Sequence, residues 1–202
     1  MIIRFRILLI CLVLISSTVL AETPPDKLIS QTVERLIDEM SERKLELENN
    51  RTQLYELVDL VIVKHIAVEK VAKLVLARHW RTASVDQRIR FSEAFKKLLI
   101  RTYASALFDY TGREEMFFRP LNLDGSERIV VVRTDVKLPG VRAIPVNYKF
   151  FRVDGSDWKI FDVTINGISL VTNYRASYSR IIKFEGLDGL IQRLEKKTAQ
   201  LR

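Results

Sequence analysis

Catalysis needs a nucleophile beside a base, paired carboxylates, or metal ligands at workable spacing, and candidates for any of these are few here. The chain has two histidines, His65 and His79. His65 and Glu69 stand four residues apart, so on a helix they would share a face and offer a metal two ligands. A zinc-type site takes at least three protein ligands, and no third suggests itself. Both histidines therefore read as surface or helix-packing groups. Gly167-Ile168-Ser169 opens like a nucleophile elbow, but Val171 occupies the place of the second glycine. No glycine-rich phosphate loop occurs. Asp162 closes an otherwise apolar strand, where it is either a general base in a pocket or a hydrogen-bonded structural carboxylate near a turn; the second reading is preferred. The expectation is no catalytic residue, no metal, no cofactor and no enzyme.

What the chain has in excess is apolar and aromatic surface. Tyr103, Phe108, Tyr110, Phe117, Phe118, Tyr148, Phe150, Phe151, Phe161, Tyr174 and Tyr178 cluster in its second half. Any one of them is an ordinary core residue. Together they ask for more, because the adjacent pair Phe150-Phe151 puts aromatics on both faces of a strand. Such a surplus suits either a thick core or an apolar cavity of the kind ligands occupy.

The elements that would position these residues follow from periodicity. From Asp157 to Ile165 the pattern alternates, with Trp158, Ile160 and Asp162 on one face and Lys159, Phe161, Val163 and Ile165 on the other. At Asn166-Gly167 the period changes, and Leu170, Val171, Tyr174, Tyr178, Ile181 and Ile182 recur at helical spacing. Before this corner, helices are expected from Pro25 to the charged run 41–50, after Asn50, over 68–80, and from a Ser84/Gln87 capping box to a stop at Gly112. Strands are expected over 116–121, 127–138, 142–153 and 157–165, joined by turn sequences short enough to require an antiparallel meander. Two helices close the chain, separated at Gly186. Helices about 25–111, strands about 116–166 and helices about 168–198 make an α+β layout.

The N-terminus stands apart. Arg4 and Arg6 precede an apolar run from Ile7 to Ile15, and Val19-Leu20-Ala21 precedes Glu22. This is the pattern of a cleaved secretory signal peptide, 1–21, which leaves 22–202 as a single domain. The only cysteine, Cys11, lies in that leader, so the exported chain must hold together by packing, without disulfides. Thirty-three basic against 25 acidic residues make the chain cationic. Such a protein suits anionic membranes or acidic partners; export argues against nucleic acid.

Two blocks, Leu76 to Gly112 and Trp158 to Leu194, carry a resemblance to a known family. In the second, Phe161-Asp162-Val163, Gly167-Ile168-Ser169-Leu170-Val171, Asn173-Tyr174-Arg175 and Gly186-Leu187-Asp188-Gly189-Leu190-Ile191 are specific in combination. The chain resembles the MlaC, or toluene-tolerance, family of periplasmic phospholipid-binding proteins. The resemblance implies a twisted antiparallel sheet of four strands or slightly more, wrapped by about six helices around a deep apolar pocket. It also implies a monomeric periplasmic carrier that holds acyl chains and shuttles phospholipid between membranes, maintaining outer-membrane lipid asymmetry. The implied partners are phospholipid, an inner-membrane ABC transporter complex with an MCE-domain subunit, and an outer-membrane lipoprotein–porin complex. Alternatives are a carrier of another hydrophobic solute, or a periplasmic adaptor with a solid core.

The inward faces of the fourth helix, the middle strands and the helix after Gly167 supply the pocket candidates. They are Leu74, Phe95, Leu99, Tyr103, Leu107, Phe108, Val132, Val146, Tyr148, Phe150, Phe161, Val163, Ile168, Val171 and Tyr174. Arg78, Arg81, Arg88, Arg90, Lys96 and Lys97 are candidates for docking on a partner or membrane, or else form a solvated helix face.

Overall fold

Proline opens the first helix without cost, since the N–H it lacks would have no partner inside the helix. In the computed structural model, which describes residues 23–104, 115–153 and 157–200, α1 runs from Pro25 to Glu42 and buries Ile29 and Leu36. The leader, Leu107, Phe108 and the expected helix stop at Gly112 lie outside the described residues. The charged run after α1 is more than a tail. The chain breaks at Arg43 and forms a short helix, α2 (Lys44–Asn49), that buries Leu47. The Asn50 side chain then caps α3 (Arg51–Val61) by accepting from the Thr52 amide at 3.1 Å.

The helix expected over 68–80 is two helices, α4 (Val68–Leu76) and α5 (Arg78–Thr82). Between them Ala77 sits at φ 49°, ψ −115°, a conformation that a Cβ disfavours. The break turns Trp80 into the core, where only 6% of it remains exposed. Ala77→Gly should therefore raise stability, by about 1 kcal/mol once the greater freedom of the unfolded glycine is set against the relieved strain. Urea denaturation measures this directly, and a lower midpoint would contradict the strain. The capping box forms reciprocally: Ser84 N–H donates to Gln87 Oε1 at 3.0 Å and Gln87 N–H to Ser84 Oγ at 3.1 Å, opening α6 (Val85–Ala104).

Five strands follow: β1 (Glu115–Phe118), β2 (Ile129–Lys137), β3 (Ile144–Val153), β4 (Asp157–Ile165) and β5 (Ile168–Ser169). They pair antiparallel in sequence order as an open meander. The fifth strand exists because Asn166 and Gly167, at φ 50° and 83°, form the two-residue turn that matches sheet twist. The chain therefore doubles back for two residues before α7 (Leu170–Gln200), which is interrupted at Gly186 (φ 71°).

One sequence expectation fails in β4. Phe150 pairs with Ile160 but Lys149 pairs with Asp162, so Phe161 is the extra residue of a β-bulge. The bulge reverses the alternation beyond it. Val163, opposite Tyr148, shares a face with Trp158 and Ile160, whereas Asp162 swings to the face of Lys149.

Among the described residues, apolar burial gathers in three clusters. α4 to α7 bring together Val75, Leu76, Trp80, Phe91, Phe95, Tyr178 and Leu190. α1 to α3 meet the end of α6 through Leu36, Leu47, Leu54, Leu57, Ile100 and Ala104. The sheet packs on Ile29 through Val130, Val132, Phe150, Trp158 and Ile160.

Candidate functional site

Where the three clusters meet they do not fill the space between them. A cavity of about 230 Å³ lies there. Val58 from α3, Ile62, Val63 and Ile66 from the turn after it, and Val68, Val71 and Val75 from α4 form one side. Phe95, Lys96, Leu99, Ile100, Tyr103 and Ala104 from α6, with Leu170, Val171 and Tyr174 from α7, form another. The β4 residues Ile160, Phe161, Asp162 and Val163 complete it. A regular strand turns alternate residues away from a given face; here Ile160 and Val163 share one face and Asp162 the opposite one, so the cavity takes in both sides of β4 at the bulge.

One wall is held by interlocked rings. Phe91 and Phe95 stack at 5.6 Å, and Phe95 meets Tyr174 and Tyr178 edge-on at 5.1 and 5.8 Å. Such geometry contributes about 0.5–1.5 kcal/mol per pair beyond area burial. It keeps this side of the cavity in shape.

Among the described lining residues only two carry charge, and both are engaged elsewhere. Asp162 is 7% exposed. It accepts from Lys149 Nζ at 3.0 Å, from Ser169 Oγ at 2.8 Å and from the Val171 amide at 3.2 Å. Ser169 Oγ in turn accepts from the Thr172 amide at 3.1 Å. Carboxylate and hydroxyl together cap the N-terminus of α7, whose dipole favours a negative group. Asp162 is thus an anchor for the strand–helix corner, and the bulge is what aims it there. Lys96 contacts Glu93 at 3.2 Å and Asp59 at 3.5 Å. Burial works against its charge, but the Glu93 hydrogen bond and the two carboxylates outweigh that, and its pKa is raised. A polar ligand group would have to displace one of these partners; an alkyl chain need not.

Among the pocket candidates, Phe95, Leu99, Tyr103, Phe161, Val163, Val171 and Tyr174 line the cavity. Others stand elsewhere. Val132, opposite Tyr148, and Phe150, opposite Val130, pack in the third cluster with Ile29 of α1, on strands further from the cavity than β4. Val146 is half-buried on β3 opposite Thr134 and Ile165, away from the cavity. Leu74 packs against the α4–α6–α7 cluster. Ile168 is 62% exposed, since in β5 it is Ser169 that turns toward Asp162. Sequence reasoning misses the contribution of α3, and in α4 it picks Leu74 where Val68, Val71 and Val75 line the cavity. The only signal was an apolar stripe, Leu54 to Ile62, wider than one packing partner needs.

The histidines take no part in the cavity. His65 ends a 3₁₀ turn (Val63–His65) and Glu69 lies in α4, with extended Ile66 between, so they do not share a helix. Burial, then Lys64, Lys159 and Arg35, holds His65 below its ordinary pKa. Among the described residues no group of three His, Cys, Asp or Glu could hold a metal, and no helix is long and apolar enough to cross a membrane.

The basic candidates divide in two. Arg88 donates to the Trp80 carbonyl at 3.0 Å and lies over the Trp80 ring at 5.3 Å. Arg90 pairs with Glu195 at 3.3 Å, Asp188 at 3.7 Å and Asp86 at 3.8 Å. With Lys96, these tie α6 to its neighbours. Arg78, Arg81 and Lys97 are exposed.

Comparison with known proteins bears on this geometry. A family model described as MlaC protein matches residues 30–196. The intermembrane phospholipid transport system binding protein MlaC of Haemophilus influenzae is 24% identical over 189 residues, covering 93% of this chain and 88% of that protein. Toluene tolerance protein ttg2D of Pseudomonas putida is 25% identical over 174 residues, covering 85% and 78% respectively. Among solved structures, the phospholipid-binding protein from Ralstonia solanacearum, determined in complex with a phospholipid, superposes with a TM-score of 0.77 at 27% identity. The match covers 86% of this chain and 96% of that one.

Proposed function

The chain belongs to the MlaC family, and from that premise we propose that it is a phospholipid carrier that holds acyl chains in the cavity among α3, α4, α6, α7 and β4. The observation that carries this reading is the cavity itself: its lining is predominantly apolar, with Lys96 and Asp162 both held by internal partners. A solid-core adaptor would have no use for it. An enzyme would need reactive groups that the lining does not offer.

Energetics shape how such a carrier works. Two acyl chains of about thirty methylenes represent roughly 20 kcal/mol or more of gross transfer free energy at ~0.8 kcal/mol each. That is more than non-covalent affinity delivers once binding costs are met. Release into water is accordingly very slow, and transfer takes place on contact with a partner or bilayer that offers the tails another apolar environment. Size matters too. A cavity of about 150 Å³ admits a benzene, so 230 Å³ admits roughly nine carbons on that scale. Longer chains require the walls to part where the three clusters meet.

In this reading, residues 1–21 export the protein to the periplasm, where it exchanges lipid with an inner-membrane ABC transporter complex bearing an MCE-domain subunit and with an outer-membrane lipoprotein–porin complex. Arg78, Arg81 and Lys97 are the better docking candidates, since Arg88, Arg90 and Lys96 hold the fold together. Reversing those three charges should slow transfer between donor and acceptor vesicles several-fold at low salt while leaving bound lipid unchanged. Equal transfer rates would remove them from the docking surface. The carrier reading itself is tested by native mass spectrometry of protein purified from a periplasm. Adducts of phospholipid mass that denaturation releases are expected; a bare polypeptide mass with no uptake from vesicles would overturn it.

A further inference from the structure

The sheet has two unlike faces. On one, Val130, Val132, Phe150 and Trp158 pack with Ile29 of α1. Alternation turns the residues between them to the other face, which carries Phe117, Ile129, Val131, Arg133, Phe151 and Lys159. Apolar side chains stand in the open there: Phe117 is 52% exposed and Ile129 61%. Phe151, directly opposite Ile129, and Val131, two residues along from it, are half-buried. A single exposed isoleucine needs no explanation. Grouped on one surface and bordered by charge, these residues have the make-up of an interaction site.

The charges on this face lean one way. Asp135 accepts from Arg119 at 3.0 Å, Glu115 meets Lys137 at 3.9 Å, and Asp162 accepts from Lys149 at 3.0 Å. Arg133 is exposed, Lys159 donates to the Lys64 carbonyl at 2.8 Å, and Lys70 of α4 lies over the Phe151 ring at 3.8 Å. Among the described residues none of these three has a carboxylate partner. Set against Asp157 at the start of β4, they leave the face positive. Cations interleaved with aromatic and aliphatic side chains match the surface of an anionic bilayer. The place of the face relative to the cavity favours a bilayer over an acidic protein. Phe151 meets Phe161 edge-on at 6.0 Å, and Lys70 lies over both rings. Phe161 lines the cavity. What lies on the face is therefore next to the cargo.

We propose that this open face of the sheet, with Ile129, Val131 and Phe151 set among Arg133, Lys159 and Lys70, docks on anionic phospholipid bilayers. The inference rests on the carrier reading and deepens it, by naming a surface through which cargo meets a membrane. It is separate from Arg78, Arg81 and Lys97, which belong to α5 and α6. Each lysine or arginine brought close to an anionic surface favours the bound state about five-fold. The apolar side chains add a contribution that does not depend on charge. Binding should therefore weaken with salt without vanishing.

The test sediments the protein with vesicles of phosphatidylcholine alone, or of phosphatidylcholine mixed with phosphatidylglycerol, at low and at physiological salt. The wild-type chain should sediment with the mixed vesicles and much less with the neutral ones. Arg133→Glu reverses one charge on the face and should weaken that binding about thirty-fold. Ile129→Ser should weaken it several-fold without altering its dependence on salt. Lys27→Glu makes the same change of charge on α1, behind the covered face, and should leave binding within about two-fold of wild type. All three residues are exposed, so the variants should fold, which circular dichroism checks. Lipid carried, read by native mass spectrometry, should not change. No sedimentation with the mixed vesicles overturns the proposal. So does binding that survives Arg133→Glu or Ile129→Ser, or that falls equally with Lys27→Glu. Slower delivery by Arg133→Glu only to membranes containing a protein partner would assign the face to that partner and overturn the bilayer. None of these outcomes bears on the carrier reading, which falls if the wild type takes up no lipid.

Discussion

Leu99→Glu should yield a folded protein that carries no phospholipid. Leu99 lines the cavity on α6 and is half-buried, so a glutamate there can remain ionised at the cavity wall while the space is filled with water. Once acyl chains enter, that carboxylate must either lose its water or force the chains aside. An unpaired charge in an apolar site costs several kcal/mol even after relaxation, and 4 kcal/mol, as an order of magnitude, is roughly a thousand-fold in affinity. Lys96, the nearest cation on the wall, is already held by Asp59 and Glu93. Leu99→Ala is the control: it keeps the wall apolar, enlarges the cavity and should retain lipid. Lipid extraction and mass analysis of both variants, alongside circular dichroism to establish folding, decides the matter. Lipid retained at wild-type occupancy by a folded Leu99→Glu protein would move the binding site elsewhere.

Asp162→Ala should cost about 3 kcal/mol of stability, within the range found when one partner of a buried ion pair is removed. The carboxylate satisfies the Val171 amide at the start of α7, the Ser169 hydroxyl and the Lys149 ammonium at once. Its loss leaves a buried amide unpaired and one helix cap incomplete. Lys149 is 38% exposed and can turn to water, which keeps the cost below that of a fully buried pair. Asp162→Asn preserves the shape and an acceptor oxygen and should lose less. Chemical denaturation of the three proteins gives the order. If Asp162→Ala unfolds at the wild-type midpoint, the corner is held by something other than this carboxylate.

How far the sequence foretold this arrangement depends on the range over which each feature is determined. The Ser84/Gln87 capping box, the Asn166-Gly167 turn and the Gly186 interruption are local in cause, and all three were legible. The helix break at Ala77 was not, because alanine is the best helix former and only tertiary packing of Trp80 forces it into a strained φ. The bulge at Phe161 left only a faint trace. The adjacent apolar pair Ile160-Phe161 shifts the phase of the apolar–polar alternation in 158–165, and which residue is extra shows only in how β4 pairs with β3. That one residue decides whether Asp162 faces the sheet core or caps α7.

The candidate site was half visible on the same grounds. Aromatic periodicity led to Phe95, Tyr103 and Tyr174 on α6 and α7. It also led to Val132 and Phe150, which have the same apolar character but turn out to face α1. Residue type reveals that a position is buried; it does not reveal whether what lies above it is another side chain or a cavity. For Val58, Ile62, Val71 and Val75 the distinction rests wholly on how the three clusters come together.

That division into three clusters has a thermodynamic consequence. A domain with one continuous core unfolds as a unit; one whose sub-cores meet across a cavity has a weak plane running through it. Cargo seated on that plane touches all three parts and adds to the contacts that join them. By linkage, a lipid present at a thousand times its dissociation constant adds about 4 kcal/mol to the folded state. Calorimetry on loaded protein should then show a single sharp transition. On stripped protein it should show a lower and broader one, with the van't Hoff enthalpy falling short of the calorimetric value. A carrier built this way loses cohesion whenever it delivers, so the empty form is the one most exposed to proteolysis and has most to gain from prompt reloading.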